Sequence, residues 1–137
     1  MKIKYNDATH NRPGGRRILD APFVFIDLQL YINQLKQEEA WQKSGHNGVT
    51  VFKNDQMAEV LICIRENAVI ENNSVNGIVS IQVLEGKINM LVETEEIEMA
   101  TGQLITMHQY INHSIEARKD SVLLITTTVD LENEIVL

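Results

Sequence analysis

One cysteine in 137 residues leaves no partner for an internal disulfide. Cys63 stands in the apolar run Val60-Leu61-Ile62-Cys63-Ile64. A buried, inert thiol is expected there, because a reactive one needs an accessible, electropositive setting. No apolar run reaches the roughly 18 residues that span a bilayer, which excludes a membrane helix. The opening Met1-Lys-Ile-Lys-Tyr-Asn6 has no apolar stretch of the kind a secretory signal carries. Together with the single thiol, this sets the expectation of a cytoplasmic protein. The chain also lacks G-x-S-x-G, C-x-x-C, H-E-x-x-H and a glycine-rich phosphate loop, so the common hydrolase, redox, zinc-protease and nucleotide signatures are missing.

What remains is enough for one domain with a real core, at 44% hydrophobic residues. Charge is distributed unevenly. Residues 1–17 hold Lys2, Lys4, Arg12, Arg16 and Arg17 against Asp7 alone, a net +4. The other 120 residues carry seven basic and eighteen acidic side chains, a net −11. An acidic body excludes a nucleic-acid surface, which needs a basic stripe for the phosphates. The basic arm is expected to fold back on the acidic body of its own or a neighbouring subunit.

Pro13-Gly14-Gly15 punctuates the arm, which ends at residue 22. Residues 23–44 read as a short strand, Phe23–Ile26, and a helix capped by Asp27. Leu28, Tyr31, Ile32 and Leu35 stripe one helical face, while Gln34, Lys36, Gln37, Glu38 and Glu39 form a solvated one. Trp41 is expected to pack the helix onto a sheet. From 45 to 129 the periodicity becomes that of strands separated by turns: Val49–Phe52, Met57–Ile64, Ala68–Ile70, Ile78–Leu84, Ile88–Val92, Glu96–Met99, Leu104–Met107, His113–Ala117 and Val122–Val129. Such spacing predicts an all-β sandwich or barrel. Residues 130–137 read as a swapped edge strand or a frayed tail. Alternation puts Val79, Ile81 and Val83 on one uniformly apolar face, the inside of a small barrel.

Two spaced segments sharpen the fold class. Asn67 to Gly86 has the length of G-x5-H-x-H-x3-E-x6-G, with Asn67, Asn73, Val75 and Val79 at the Gly, His, His and Glu positions. Gly102 to His113 has the spacing of G-x5-P-x-G-x2-H, with His108 at the Pro, Tyr110 at the second Gly and His113 retained. Together with Val83-Leu-Glu-Gly-Lys87 and Asn112-His-Ser-Ile-Glu-Ala117, these segments resemble a small single-domain cupin. The resemblance runs from Trp41 to Thr126. It implies a double-stranded β-helix, or jelly roll, preceded by a short strand and a helix, and it implies a metal site that has degenerated.

The site follows from those positions. A transition metal prefers imidazole and carboxylate, and valine ligates nothing. Asn73, Val75, Val79 and His113 therefore predict no catalytic residue and no tightly bound metal or other cofactor. Recruitment would have to draw on His46 or His108. Asn73, Val75, Val79, Met90, Met107 and His113 are expected to line an apolar pocket for a small organic ligand, a carboxylate or a phenol. Histidine changes charge near neutral pH, which suits either partner. The plainer reading of His113 is an imidazole hydrogen-bonded to a neighbour such as Ser114 or Tyr110. The alternative function is a cupin enzyme: either a metal-dependent oxygenase or isomerase with displaced ligands, or a metal-free catalyst with His113 as base. A homodimer is expected, because a jelly roll leaves sheet edges that need cover. Phe23–Ile26 is the segment expected to cross.

Overall fold

Alternation in the strands separates an inner from an outer face, and the structure builds the two sheets of its barrel on that division. The computed structural model describes residues 1–128, with the side chains of Asn72 and Asn73 outside the described residues. The expected tail 130–137, and Val129 at the end of the last strand, also lie outside them. The elements are β1 (Lys4–Asn6), β2 (Arg17–Asp20), α1 (Leu28–Gln37), α2 (Glu39–Ser44), β3 (His46–Lys53), β4 (Met57–Ile64) and β5 (Val69–Asn73). They continue with β6 (Val79–Glu85), β7 (Lys87–Val92), β8 (Glu95–Ala100), β9 (Leu104–Met107), β10 (His113–Ala117) and β11 (Ser121–Thr128).

One sheet has the order β5-β10-β7-β8 and the other β3-β4-β11-β6-β9, with every pairing antiparallel. From β4 to β7, and again from β8 to β11, each successive strand passes to the opposite sheet. This is the all-β double-stranded β-helix of a cupin. The apolar face Val79, Ile81 and Val83 points inward and meets Ile88, Met90, Met99, Ile115 and Leu123 in the main core. A second core lies on the other side of the five-stranded sheet, where Ile32, Leu35 and Trp41 cover Val49, Val51, Leu61 and Val122. Cys63 is fully buried in this second core, and desolvation pushes its thiol up to about 11, so it is inert.

Asp27 caps α1 as expected, its carboxylate accepting from the Leu30 amide at 3.1 Å. The helix does not run on to Trp41. It stops at Glu38, which is extended at φ −79° and ψ 152°, and α2 restarts one residue later. Tertiary bonds explain the break. Glu38 accepts from Arg12 Nε at 2.9 Å and from its terminal nitrogen at 2.7 Å, from Asn47 at 2.9 Å and from Gln34 at 3.2 Å. Glu38 and Gln34 are half-buried, which corrects their assignment to a solvated face.

The basic arm folds back on its own body. Arg12 also donates to the Gly48 carbonyl at 3.1 Å, and Arg17 donates to that of Thr50 at 2.8 Å. Gly48 and Thr50 lie in β3, an edge strand, so two guanidinium groups occupy carbonyls that another chain's strand could otherwise use. Within the arm β1 and β2 pair with each other, a hairpin the sequence reading did not contain. Phe23–Ile26 forms no strand, which corrects that expectation.

A pH dependence follows from Glu38. The Arg12 hydrogen bonds, opposed by partial burial and aided by Asn47 and Gln34, lower its carboxyl from 4.5 to about 2. A depressed acid stabilises the fold above its unfolded pKa and loses that contribution as pH falls through its folded one. Wild type is expected to lose on the order of 2–3 kcal/mol from this group between about pH 5 and pH 2. Glu38→Gln is expected to remove that part of the profile, read by urea unfolding at pH 7 and pH 3. An equal acid loss in Glu38→Gln and wild type would show that other carboxylates carry it.

Candidate functional site

Antiparallel register gathers the residues of both motif segments at one end of the barrel. Val79 opens β6 and faces Met107, which closes β9. His113 opens β10 between Asn73 of β5 and Val92 of β7. Met90, two residues back along β7, faces Ile115. Directly opposed residues in an antiparallel pair share a face. The five residues Asn73, Val79, Met90, Met107 and His113 therefore converge through backbone placement, and Val75 packs against the same core from the loop after β5. The Asn73 side chain lies outside the described residues.

The turns that bring the strands here keep the dihedral pattern of the motif even where its glycines are gone. Gly86 and Gly102 have φ of 96° and 89°, and Asn67 and Tyr110, which stand at the other two glycine positions, have φ of 70° and 64°. Left-handed backbone costs an L-residue roughly 1–2 kcal/mol, less for Asn, whose short amide can bond locally. Tyr110 is held there by its amide, which donates to the Val75 carbonyl at 2.8 Å. The residue is 58% exposed and adds little packing. Tyr110→Gly is therefore expected to stabilise the protein by about 0.5–1 kcal/mol, after the extra entropy of an unfolded glycine is subtracted. Chemical denaturation checks the sign, and a loss of stability would mean the tyrosine ring packs more than its exposure indicates.

His113 is 6% exposed, and its Nδ1 lies 3.1 Å from the Ile111 carbonyl. A carbonyl only accepts, so Nδ1 carries the proton in this bond and Nε2 of the neutral ring is left as an acceptor. The neighbour that holds the ring is thus Ile111, not Ser114 or Tyr110.

Met90 is fully buried, while Val79 and Met107 are 4% and 6% exposed. Side chains fill the barrel interior at these positions, so the residues expected to line an open pocket are instead packed against one another. Open space begins just outside. A crevice of about 450 Å³ is lined by Val92, Glu93, Thr94, Glu95, Ile105, Thr106, Met107, His108 and Ile111. Its floor is apolar, and its rim carries two carboxylates and one imidazole. Of the five nominated residues whose side chains are described, Met107 alone reaches it. Glu93 and Glu95 fall in the turn between the expected strands Ile88–Val92 and Glu96–Met99, so sequence reading gave them no part in a site. The usable signal was topological: the β7–β8 turn and the β9–β10 loop must meet at the same end of a jelly roll.

The residues at the motif's metal positions do not fit a transition metal. Val75 and Val79 offer no donor atom, and among the described residues no three His, Cys, Asp or Glu side chains converge. His46 cannot be recruited. It pairs with Ile64, which pairs with Ser121, whereas Val79 pairs with Thr127 at the opposite end of β11. His108 is at the right end of the barrel, but it is exposed on the crevice rim.

No family model matches this sequence, and no curated protein matches it. Solved structures do. The chain is similar to a cupin superfamily protein from Desulfitobacterium hafniense at a TM-score of 0.61 and 13% identity, over 62% of this chain and 78% of that one. It is similar to an RmlC-like cupin from Shewanella frigidimarina at 0.60 and 15%, over 66% and 82%. The cupin domain of Cnp3 from Schizosaccharomyces pombe matches at 0.61 and 17%, over 98% and 93%. At these identities the likeness establishes the cupin fold.

Proposed function

We propose that this cupin is a binding protein that works without a tightly held transition metal. It takes a compact organic ligand with an apolar body and a hydrogen-bond donor, a phenol or an alcohol, at the barrel mouth. The observation that carries this reading is His113, whose Nδ1 donates to the Ile111 carbonyl and leaves Nε2 as the acceptor of the neutral ring. The imidazole lies behind Val92, which faces it in the ladder and walls the apolar crevice, and the ligand's donor reaches it past that wall. Glu93 and Glu95 on the rim repel carboxylates, which narrows the carboxylate-or-phenol expectation to the neutral donor. Crevices of this size at the mouths of barrels suit small ligands. A general base would need a second group to stabilise the charge it creates, and no acid or cation beside His113 answers that need among the described residues. The binding reading therefore stands ahead of the enzyme. The working unit is a homodimer.

Proton–nitrogen NMR titration with phenol, cyclohexanol and benzoate tests it. Phenol and cyclohexanol are expected to move the backbone signals of Val92, Ile105, Met107, Ile111 and His113, with benzoate at least tenfold weaker. His113→Phe, which keeps the ring volume and removes the acceptor, is expected to weaken phenol by about tenfold, the worth of one hydrogen bond. Silence at these residues up to millimolar phenol and cyclohexanol would overturn the reading.

A further inference from the structure

Residues 23–26 leave the arm as an extended segment in which alternate side chains part company. Ile26 packs onto the second core. Phe23 and Phe25 point away, at 87% and 91% exposure. The chain has three phenylalanines in all, and two of them stand in water within three residues of each other. The backbone is open as well, since no N–H or C=O of residues 23–26 takes a hydrogen-bond partner among the described residues. Beside the segment runs a groove of about 380 Å³, walled by Arg17, Ile18, Val24, Ile26, Tyr31 and Val51, with Phe23 and Phe25 themselves along its rim.

We infer that this segment is the contact face of the homodimer proposed above. Two copies meet about a two-fold axis, and Phe23 and Phe25 of each enter the other's groove between Ile18 and Tyr31. The occupant is a second copy because the surface complements itself: one protomer carries both the projecting rings and the apolar groove that fits them, which is what an isologous interface requires. The area agrees. A phenyl group buries roughly 150–250 Å², so the two exposed rings supply about 350 Å² per protomer. That is nearly half of the ~800 Å² per partner of a standard interface. Ile18 of β2, in the groove wall, and Leu30, one helical turn beyond the segment, are 40% and 62% exposed and raise the total. Large aromatics at the centre of a patch are also where interface energy concentrates. Extended backbone with free donors and acceptors allows the two segments to pair as antiparallel strands. β3, which contributes Val51 to the groove, has its Gly48 and Thr50 carbonyls taken by Arg12 and Arg17, whereas the backbone of residues 23–26 stays open.

Light scattering coupled to size exclusion at micromolar concentration separates the two levels of the proposal. Wild type is expected at twice 15.6 kDa, and Phe23→Asp with Phe25→Asp at the monomer mass. Because both rings are solvent-exposed in the protomer, the double variant is expected to keep the wild-type circular dichroism spectrum. Leu91→Asp, on the outer face of the four-stranded sheet, is the control and is expected to remain a dimer. A wild-type monomer would overturn the dimer and its face together. A wild-type dimer that survives the double substitution, or that Leu91→Asp dissociates, would keep the dimer and overturn this face.

Discussion

Gly86→Ala is expected to cost more than about 4 kcal/mol, most of what a domain of this size has to lose. Two independent causes add at one position. Gly86 has φ of 96°, a conformation that L side chains rarely adopt. A Cβ built there would meet Ser121 Oγ at 2.3 Å, the Asp120 carbonyl at 2.6 Å and Ser121 Cα at 2.8 Å. Neither neighbour can yield cheaply. Ser121 Oγ is buried, accepts from the Lys87 amide at 3.0 Å and donates to the Lys119 carbonyl at 2.8 Å. Moving it would pull β7 from β11 at the turn where both core sheets are joined. Gly102 is the control. It has φ of 89° but nothing within 4 Å of its absent Cβ, so Gly102→Ala is expected to cost only the left-handed strain of about 1–2 kcal/mol. Urea unfolding of the two variants side by side separates strain from collision. Equal losses would mean that the close approach at Gly86 relaxes without effort.

The contrast shows what was readable in the chain and what was not. Strand periodicity located β4, β9 and β10 to the residue: β9 and β10 alternate, with the buried side chains inward, and β4 is an apolar run covered by a core on either side. The interior parity of Val79, Ile81 and Val83 was legible for the same reason. The glycine positions of the motif located turns even through Asn67 and Tyr110, since spacing between strands is fixed by the backbone and not by the residue that bears the strain. Three features had no local signal. The break at Glu38 is imposed by Arg12, 26 residues away, and no helix propensity encodes it. The β1–β2 hairpin rests on three-residue and four-residue strands, too short for alternation to stand out. Phe23–Ile26 has the composition of a strand but no strand beside it among the described residues, and composition cannot supply a neighbour. At the site, the sequence identified which residues share an end of the barrel but not how tightly they pack. That depends on side-chain volume summed across two sheets, which no single strand reveals.

The largest reversal is expected from rebuilding the missing donors. Asn73→His, Val75→His and Val79→Glu together place two imidazoles and a carboxylate around His113, whose Nδ1 is already held by the Ile111 carbonyl. Asn73 faces His113 in the ladder, Val79 opens the adjacent wall, and Val75 packs between them. Without metal the variant is expected to be badly destabilised. Val79 is nearly fully buried in an apolar cluster, and an unpaired carboxylate in such a place costs about 3–5 kcal/mol. Binding to the folded state alone returns free energy by mass action, about 4 kcal/mol when free metal exceeds Kd a thousandfold. Nickel or zinc is then expected to raise the melting temperature of the triple variant by about 15 °C, using the usual conversion for a domain of this size. Wild type is expected to be unmoved by either metal, and Val79→Glu alone to be destabilised but not rescued. Differential scanning fluorimetry with and without metal, checked by equilibrium dialysis for stoichiometry, reads all three. A metal-dependent rise in wild type would show that donors other than the four motif positions assemble in solution. A folded triple variant indifferent to metal would show that the inner faces of β5, β6 and β10 do not meet as their register requires.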